Sequence, residues 1–365
     1  MRKLLIYLGL ILIINFLTGC YPVKTSSTDA LSGATTSKLS SRNSLFHNTP
    51  GIQLETGELK IEGEIQHPGK IDFNKFYHRE VFVKETMINN KNEPEFIGAY
   101  RYSGYSLFDL LNEYVPAKKN AAIFRPEIDL YIKVENDHGD YVVFSWSEIF
   151  HTINPHQIII ATEVAQIKPH KKEINYPVGK TWKIVAANDL YAFRNLENPV
   201  KITVCSFDKK VYTINRDLHT LYSPELKVIK ESNSHANPVI EFTIHQPLSS
   251  ERIANYSSTF YGMGMGYHPV PGFSGFLLQD ILKDSLNLVT GASISKGLAC
   301  FVSIDGYRAI FSNSELFNRV DQCQPMLSIV ENPNDGGYFR IFLPTDFYAD
   351  RSVKGLSEIY FFEVK

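Results

Sequence analysis

The sequence predicts two tandem domains of the mixed α+β class, and three observations lead to this prediction. Several segments occur twice, in the same order, along the 365-residue chain. Runs that alternate apolar and polar residues, as half-buried strands do, are interspersed with short runs at helical spacing. With 44% hydrophobic and 13% aromatic residues, the chain can also bury two sizeable cores.

The repeat is the strongest of these observations, because its segments keep their order and chance matches would not. The repeated pairs are EIQHP at 64–68 and TIHQP at 243–247, SGYSLFDLL at 103–111 and SGFLLQDIL at 274–282, VVFSWSEIF at 142–150 and AIFSNSELF at 309–317, and WKIVAANDLYAFR at 182–194 and FRIFLPTDFYADR at 339–351. We therefore expect one copy at 58–205, a linker at 206–237 and a second copy at 238–365.

Both types of element can be recognised in the first copy. Leu107, Leu110 and Leu111 lie at helical spacing, and Ser106 precedes them as an N-cap, so a short amphipathic helix is predicted. The alternation in LKIEGEI at 59–65 predicts a strand. IDLYIKVEN and YVVFS flank the turn sequence HGD, which predicts a hairpin.

The N-terminal segment has the pattern of an export signal. Arg2 and Lys3 precede an apolar run at 4–17, which is shorter than the roughly 20 residues that span a bilayer. The tetrapeptide LTGC at 17–20 resembles the lipobox of bacterial lipoproteins, in which the cysteine is acylated and the preceding segment removed. The resemblance implies a signal peptide at 1–19 and lipid on Cys20; the alternative is an ordinary secretory signal. Residues 20–57, rich in Ser, Thr and Asn, are predicted to be a flexible tether.

A lipidated cysteine would make the membrane the first partner of this protein. Two or more acyl chains hold a protein firmly on a bilayer, so we expect a body anchored through Cys20 in the bacterial cell envelope and facing the periplasm. Tyr21 stands where some lipoproteins carry an aspartate that retains them in the inner membrane, which favours the outer membrane. The formal net charge of −2 argues against nucleic acid as a partner.

The duplicated segments also resemble a known family. HPGK at 67–70, YSGYSLFDLL from Tyr102, HGDYVVFSWSEI from His138 and TWKIVAAND from Thr181 follow, in order, the pattern of the sulfite-oxidase-type molybdopterin-binding domain. FSGFLLQDIL, DGYRAIFSNSEL and YFRIFLPTD follow it again. The resemblance covers nearly all of 58–365 and implies two tandem copies of a sulfite-oxidase-like fold.

The chain departs from this family where the metal would be held. Members that bind molybdenum ligate it with a cysteine thiolate, and the corresponding stretches, 81–104 and 257–275, contain no cysteine. Thr86 and Met87 cannot supply the charge of a thiolate. We therefore expect no cofactor and no redox enzyme, and predict binding of a protein or a small ligand. A molybdopterin-dependent oxidoreductase is the alternative.

Two Asp and Arg pairs occupy equivalent places in the two copies. Asp189 and Arg194 recur as Asp346 and Arg351, where the resemblance implies an approach to the pterin phosphate. Because a guanidinium binds an oxyanion through two charge-assisted hydrogen bonds, these residues are a candidate site for an anionic ligand. The other interpretation is an internal Asp and Arg pair that fixes the turn before the last strand.

One segment of the second copy has the residues of a copper site. GMGMGYH contains Met263, Met265 and His268, soft and borderline ligands that suit Cu(I), and a periplasmic copper-binding protein is a further alternative. Methionines between glycines also occur in ordinary packing. His151, His156 and His170 are interpreted as solvated surface residues.

The three remaining cysteines allow at most one internal disulfide. Cys300 and Cys323 lie in the same half of the chain and are the favoured pair over any pair with Cys205, since export favours oxidation. Three separate buried thiols are the alternative.

Overall fold

The fold is a β fold, and the predicted α+β class is wrong. The computed structural model describes residues 46, 48–171, 173–231, 239–245, 253–263, 266–282, 285–329 and 339–364. Strands make up 46% of the structure and helices 13%. The described α-helices are single turns of five or six residues: α1 (Leu107–Leu111), α2 (Trp146–Phe150), α3 (Leu278–Leu282), α4 (Gly291–Lys296) and α5 (Asn313–Phe317). The helical spacing in the sequence was real, but each run is too short to form a layer of its own.

The first half of the body contains two sheets. Its strands are β1 (Ile52–Gln53), β2 (Lys60–Gly63), β3 (Gly69–Lys70), β4 (Arg79–Ile88), β5 (Pro94–Ser106), β6 (Leu130–Asn136), β7 (Tyr141–Ser145), β8 (Ile158–Gln166), β9 (Lys183–Ala186), β10 (Leu196–Glu197) and β11 (Pro199–Ser206). One sheet has the order β10-β9-β8-β5-β4, with β1 paired to β8, and the other has the order β3-β2-β11-β6-β7.

The second half also contains two sheets. Its strands are β12 (Glu225–Glu231), β13 (Val239–His245), β14 (Ala254–Gly262), β15 (Gly266–Leu277), β16 (Gly297–Ser303), β17 (Arg308–Ser312), β18 (Met326–Ile329), β19 (Phe339–Phe342) and β20 (Leu356–Glu363). The sheet orders are β13-β12-β20-β16-β17 and β14-β15-β18-β19. The four sheets of the described residues are arranged like the blades of a β-propeller.

Strand pairing follows the same plan in both halves. In the first half β2 is parallel to β11, which is antiparallel to β6, and in the second β12 is parallel to β20, which is antiparallel to β16. β12 lies inside the segment that the sequence analysis treats as a linker. β1 lies inside the segment predicted as a tether and pairs with β8. Both halves belong to one compact unit, Asn43–Lys365.

Apolar cores fill each half and the space between them. One cluster of buried side chains comes from the first half and a second lies mostly in the second half. A third joins the halves, with Tyr131, Val143 and Phe207 packed in the same cluster as Ile310 and Phe362. The two halves therefore share a desolvated junction, which can bury the charged groups described below.

The cysteines are separate thiols in the structure. Cys205, Cys300 and Cys323 are free, so the favoured pairing of Cys300 with Cys323 is not formed. Cys300 is fully buried in the cluster between the halves, and burial raises the pKa of its thiol. Cys20 lies outside the described residues. In the described part of the chain no helix is long and apolar enough to cross a membrane.

Candidate functional site at the junction of the two halves

The two halves exchange loops at their junction. The loop after α2 reaches the second half, where the Phe347 N–H donates to the His151 carbonyl at 2.7 Å. The loop after α5 reaches the first half in the same manner, where the Leu190 N–H donates to the Asn318 carbonyl at 2.7 Å. This reciprocal pairing brings the Asp and Arg motifs of both halves to one place.

Each motif arginine is held by its own aspartate and by a glutamate. The Arg194 Nε and Nη2 donate to Asp189 at 2.8 and 2.7 Å, and its Nη1 donates to Glu148 at 2.9 Å. The Arg351 Nε and Nη2 donate to Asp346 at 2.9 and 2.6 Å. The Arg351 Nη1 lies 2.8 Å from Glu315 Oε2. We call these six residues the Arg–carboxylate cluster.

The two glutamates of the cluster were not among the predicted site residues. Each is the third residue of a capping box: the Ser145 N–H donates to Glu148 at 2.7 Å, and the Ser312 N–H donates to Glu315 at 2.7 Å. A hydrogen bond across the junction from Ser145 Oγ to Glu315, at 2.6 Å, links the two halves of the cluster. The repeated Ser-x-x-Glu of SWSE and SNSE was the sequence signal that identifies them.

The cluster is buried and closely packed. Arg194 and Arg351 are each 1% exposed, and the cavity between the two motifs has a volume of about 10 Å³, close to that of a single water molecule. The carboxylates already occupy the forks of both guanidiniums. The arrangement favours the interpretation of internal ion pairs, and it offers an incoming anion neither space nor an unoccupied guanidinium fork.

Burial moves the pKa values of two carboxyl groups of the cluster toward neutral pH. It raises the pKa of Glu148 to about 7, against the attraction of Arg194, and it raises the pKa of Asp346 to about 6, against that of Arg351. Burial disfavours the charge on the two guanidiniums as well, but their carboxylate partners outweigh it and raise the pKa of each. Four carboxylates and two guanidiniums form the cluster, so protonation relieves its excess negative charge.

His151 is buried beside this cluster, whereas the sequence analysis placed it on the solvated surface. Its side chain packs edge-on against Tyr348 with ring centres 5.7 Å apart, and its Nδ1 has no hydrogen-bond partner. Burial, with a smaller effect of Arg351, lowers the pKa of His151 to about 4. Asn318 occupies the equivalent position in the second half, and its amide bonds the backbone of Tyr191. His170 is exposed and His156 is half-buried.

The predicted copper ligands fall only partly within the described residues. Met263 lies at the tip of the β14–β15 hairpin with 58% of its surface exposed, and its N–H donates to Asp350 at 3.2 Å. Met265 and the side chain of His268 lie outside the described residues, so copper binding stays a prediction. Among the residues that the structure describes, no group of three or more His, Cys, Asp and Glu side chains suits a metal ion.

A larger cleft opens next to the Arg–carboxylate cluster. It consists of two adjoining cavities of about 200 and 120 Å³, which share Gln279, Val289 and Phe317 in their walls. The first half contributes Leu190 and Tyr191 to the larger cavity. The remaining lining residues come from the second half: Leu316, Arg319, Gln322 and Gln324 in the larger cavity, and Leu282, Leu286, Asn287 and Leu288 in the smaller one. None of the three free cysteines lines either cavity.

The equivalent space in the first half is filled by aromatic rings. Phe108, which the repeat aligns with Gln279, packs against Phe150 and His156 with ring centres 5.3 and 5.1 Å apart. Phe150 stacks in turn on Trp146 at 4.4 Å. The cleft of the second half thus has a glutamine where the first half has a packed phenylalanine.

Asn313, which the repeat aligns with Trp146, has a different role. Its amide donates to the Ser293 carbonyl at 3.2 Å and to the Ser293 hydroxyl at 2.9 Å, which holds α4 against α5. This change therefore fixes an added helix, whereas Gln279 lines the cleft.

Comparison with known proteins adds no relative to this description. No protein-family model matches the chain, and no curated protein matches it either. The functional conclusion therefore depends on the residues and geometry given above.

Proposed function

We propose that this protein is a lipid-anchored binding protein of the bacterial cell envelope that holds a small molecule in the cleft between its halves. One observation carries the proposal: residues of both halves line the cleft. Ligand sites commonly lie at such interfaces and combine apolar walls with a few convergent polar groups. The leucines and the glutamine amides of the cleft provide both.

The anchor is proposed from the sequence alone. LTGC at 17–20 supports acylation of Cys20, and the segment between Cys20 and the first described strand would let the body stand away from the membrane. We expect a Cys20→Ser variant to move from the membrane fraction to the soluble fraction, with loss of the lipid mass from the Cys20 peptide. Retention of the variant in the membrane would contradict the anchor.

Ligand binding is tested by native mass spectrometry of the full chain, purified from the envelope in lipid nanodiscs. We expect an adduct on the wild-type protein and its loss in Gln279→Phe, which places in the cleft the ring that the first half has at Phe108. Gln66→Phe, at an exposed glutamine of the first half, is the control and should keep the adduct. A wild-type protein without an adduct, or an adduct that persists in Gln279→Phe, would refute the proposed site.

The same sample tests the redox alternative. Stoichiometric molybdenum in the wild-type protein would favour a molybdopterin-dependent oxidoreductase over a cofactor-free binding protein.

A further inference from the structure

The geometry points to a neutral amphiphile as the ligand of this cleft: a short aliphatic tail joined to an uncharged head that both donates and accepts hydrogen bonds. This inference rests on the proposed function and names the chemical class of its ligand. It follows from three features of the cleft walls.

The first feature is the apolar arm. Leu282, Leu286 and Leu288 line the smaller cavity and are themselves at least 97% buried, while Val289 at the rim is 43% exposed. Among the described residues that line this arm none is charged. An aliphatic chain is the kind of group that such walls remove from water favourably.

The second feature is the neutralised charge of the larger cavity. Among the described residues of its wall Arg319 is the charged one, and it is paired through both Nε and Nη2 with the two carboxylate oxygens of Asp321. Burial opposes ionisation of Asp321, but the bonds from Arg319 and from the Cys323 N–H outweigh it and lower the pKa of the carboxyl. The carboxylate is thus charged and balances the guanidinium.

A negatively charged head would also lie near other carboxylates. Arg319 lines the small cavity of the Arg–carboxylate cluster as well, together with Glu315 and Asp346. Since that cluster contains more carboxylates than guanidiniums, an anion at Arg319, the cation among the described residues of the wall, would face repulsion from behind. An uncharged head avoids this repulsion.

The third feature is the set of glutamine amides. Gln279, Gln322 and Gln324 line the larger cavity, and each amide has donors and an acceptor, of which the Gln322 Nε2 already donates to the Arg319 carbonyl at 2.8 Å. The Gln324 Oε1 is buried without a hydrogen-bond partner, which is uncommon in folded proteins. Gln322 has a left-handed backbone, with φ of 58°, which side chains other than Gly and Asn rarely adopt. An unpartnered acceptor beside a strained residue is the pattern of a binding site, and it calls for a donor on the ligand.

The test uses hexanamide and hexanoate, which share a tail and differ in the charge of the head. Each is titrated by calorimetry into the full chain in lipid nanodiscs, with empty nanodiscs as the blank. We expect hexanamide to bind about tenfold more tightly than hexanoate, because a charged head must be desolvated while Arg319, the cation of the described wall, is paired with Asp321. Binding should be lost in Gln279→Phe and kept in Gln66→Phe.

The relative affinities of the two probes test the inferred ligand class. Equal or tighter binding of hexanoate overturns the neutral head and leaves the proposed binding function standing. Binding of neither probe overturns the inferred class, and the native adduct then decides whether the proposed function also fails. If Gln279→Phe does not fold, as judged by circular dichroism, Val289→Trp at the exposed rim replaces it and should block the same cleft.

Discussion

The two halves of this protein share a pattern of strand pairing but differ in how the space beside their first helix is packed. The first half fills the space beside α1 with Phe108, Phe150 and His156, whereas the second leaves a cleft beside α3, where Gln279 replaces Phe108. The Asp and Arg motifs, in contrast, are unchanged and meet at the junction. The comparison shows that each half keeps its own Asp and Arg ion pair at the junction, where the hydrogen bond from Ser145 to Glu315 links the halves, whereas the halves differ at the cleft.

The largest loss of stability should come from replacing an arginine of the junction. Arg194→Met leaves Asp189 and Glu148 buried without their cation, and we expect the free energy of unfolding to fall by about 3–5 kcal/mol in urea denaturation. Arg351→Met should have a similar cost if the halves are equivalent here. Arg79→Met, which breaks the partly exposed pair with Asp109, should cost less than about 1 kcal/mol. A small effect of either junction variant would refute the central role of the cluster.

Exchanging Phe108 and Gln279 between the halves should change the free energy of unfolding by an intermediate amount, with opposite signs for the two variants. Phe108→Gln removes an aromatic ring from the packed half, and we expect a loss of about 2 kcal/mol. Gln279→Phe fills the cleft and should raise the free energy of unfolding by about 1 kcal/mol. Thermal and urea unfolding of both variants measure this contrast. If Phe108→Gln stabilised the protein, the aromatic packing around Phe108 would not contribute to stability as proposed.

The dependence of stability on pH should be smaller, and it combines contributions of opposite sign from groups at the junction. The pKa of Glu148 is raised from 4.5 to about 7, so the folded protein retains a proton that the unfolded chain releases, and stability is lost as pH rises through this window. Asp346 acts in the same direction between pH 3.8 and about 6. His151, with its pKa lowered from 6.5 to about 4, acts in the opposite direction.

Single variants resolve these opposing contributions in urea denaturation at pH 4.5, 5.5, 6.5 and 7.5. Glu148→Gln should flatten the fall of stability with rising pH. His151→Asn, which copies Asn318 of the second half, should steepen it. If neither variant changed the dependence of the unfolding free energy on pH, the pKa shifts attributed to burial of Glu148 and His151 would be wrong.

The sequence anticipated the parts that depend on neighbours along the chain. Ser106 caps α1 as predicted, with the Phe108 N–H donating to its hydroxyl at 3.1 Å, and the hairpin around HGD is formed by β6 and β7. The fold class was wrong because helical spacing over one turn indicates a connection between strands as readily as a helical layer. The difference between Phe108 and Gln279 is one of four between SGYSLFDLL and SGFLLQDIL, and such a difference alone does not indicate a cavity.

The sequence by itself determined the duplicated order of elements and the two Asp and Arg motifs, because periodicity, capping and repetition are local properties. Only the tertiary structure decided that Arg194 and Arg351 lie in one buried cluster with Glu148 and Glu315, and that His151 is buried beside it. These contacts join residues far apart in the chain, and their energies depend on how completely the junction excludes water.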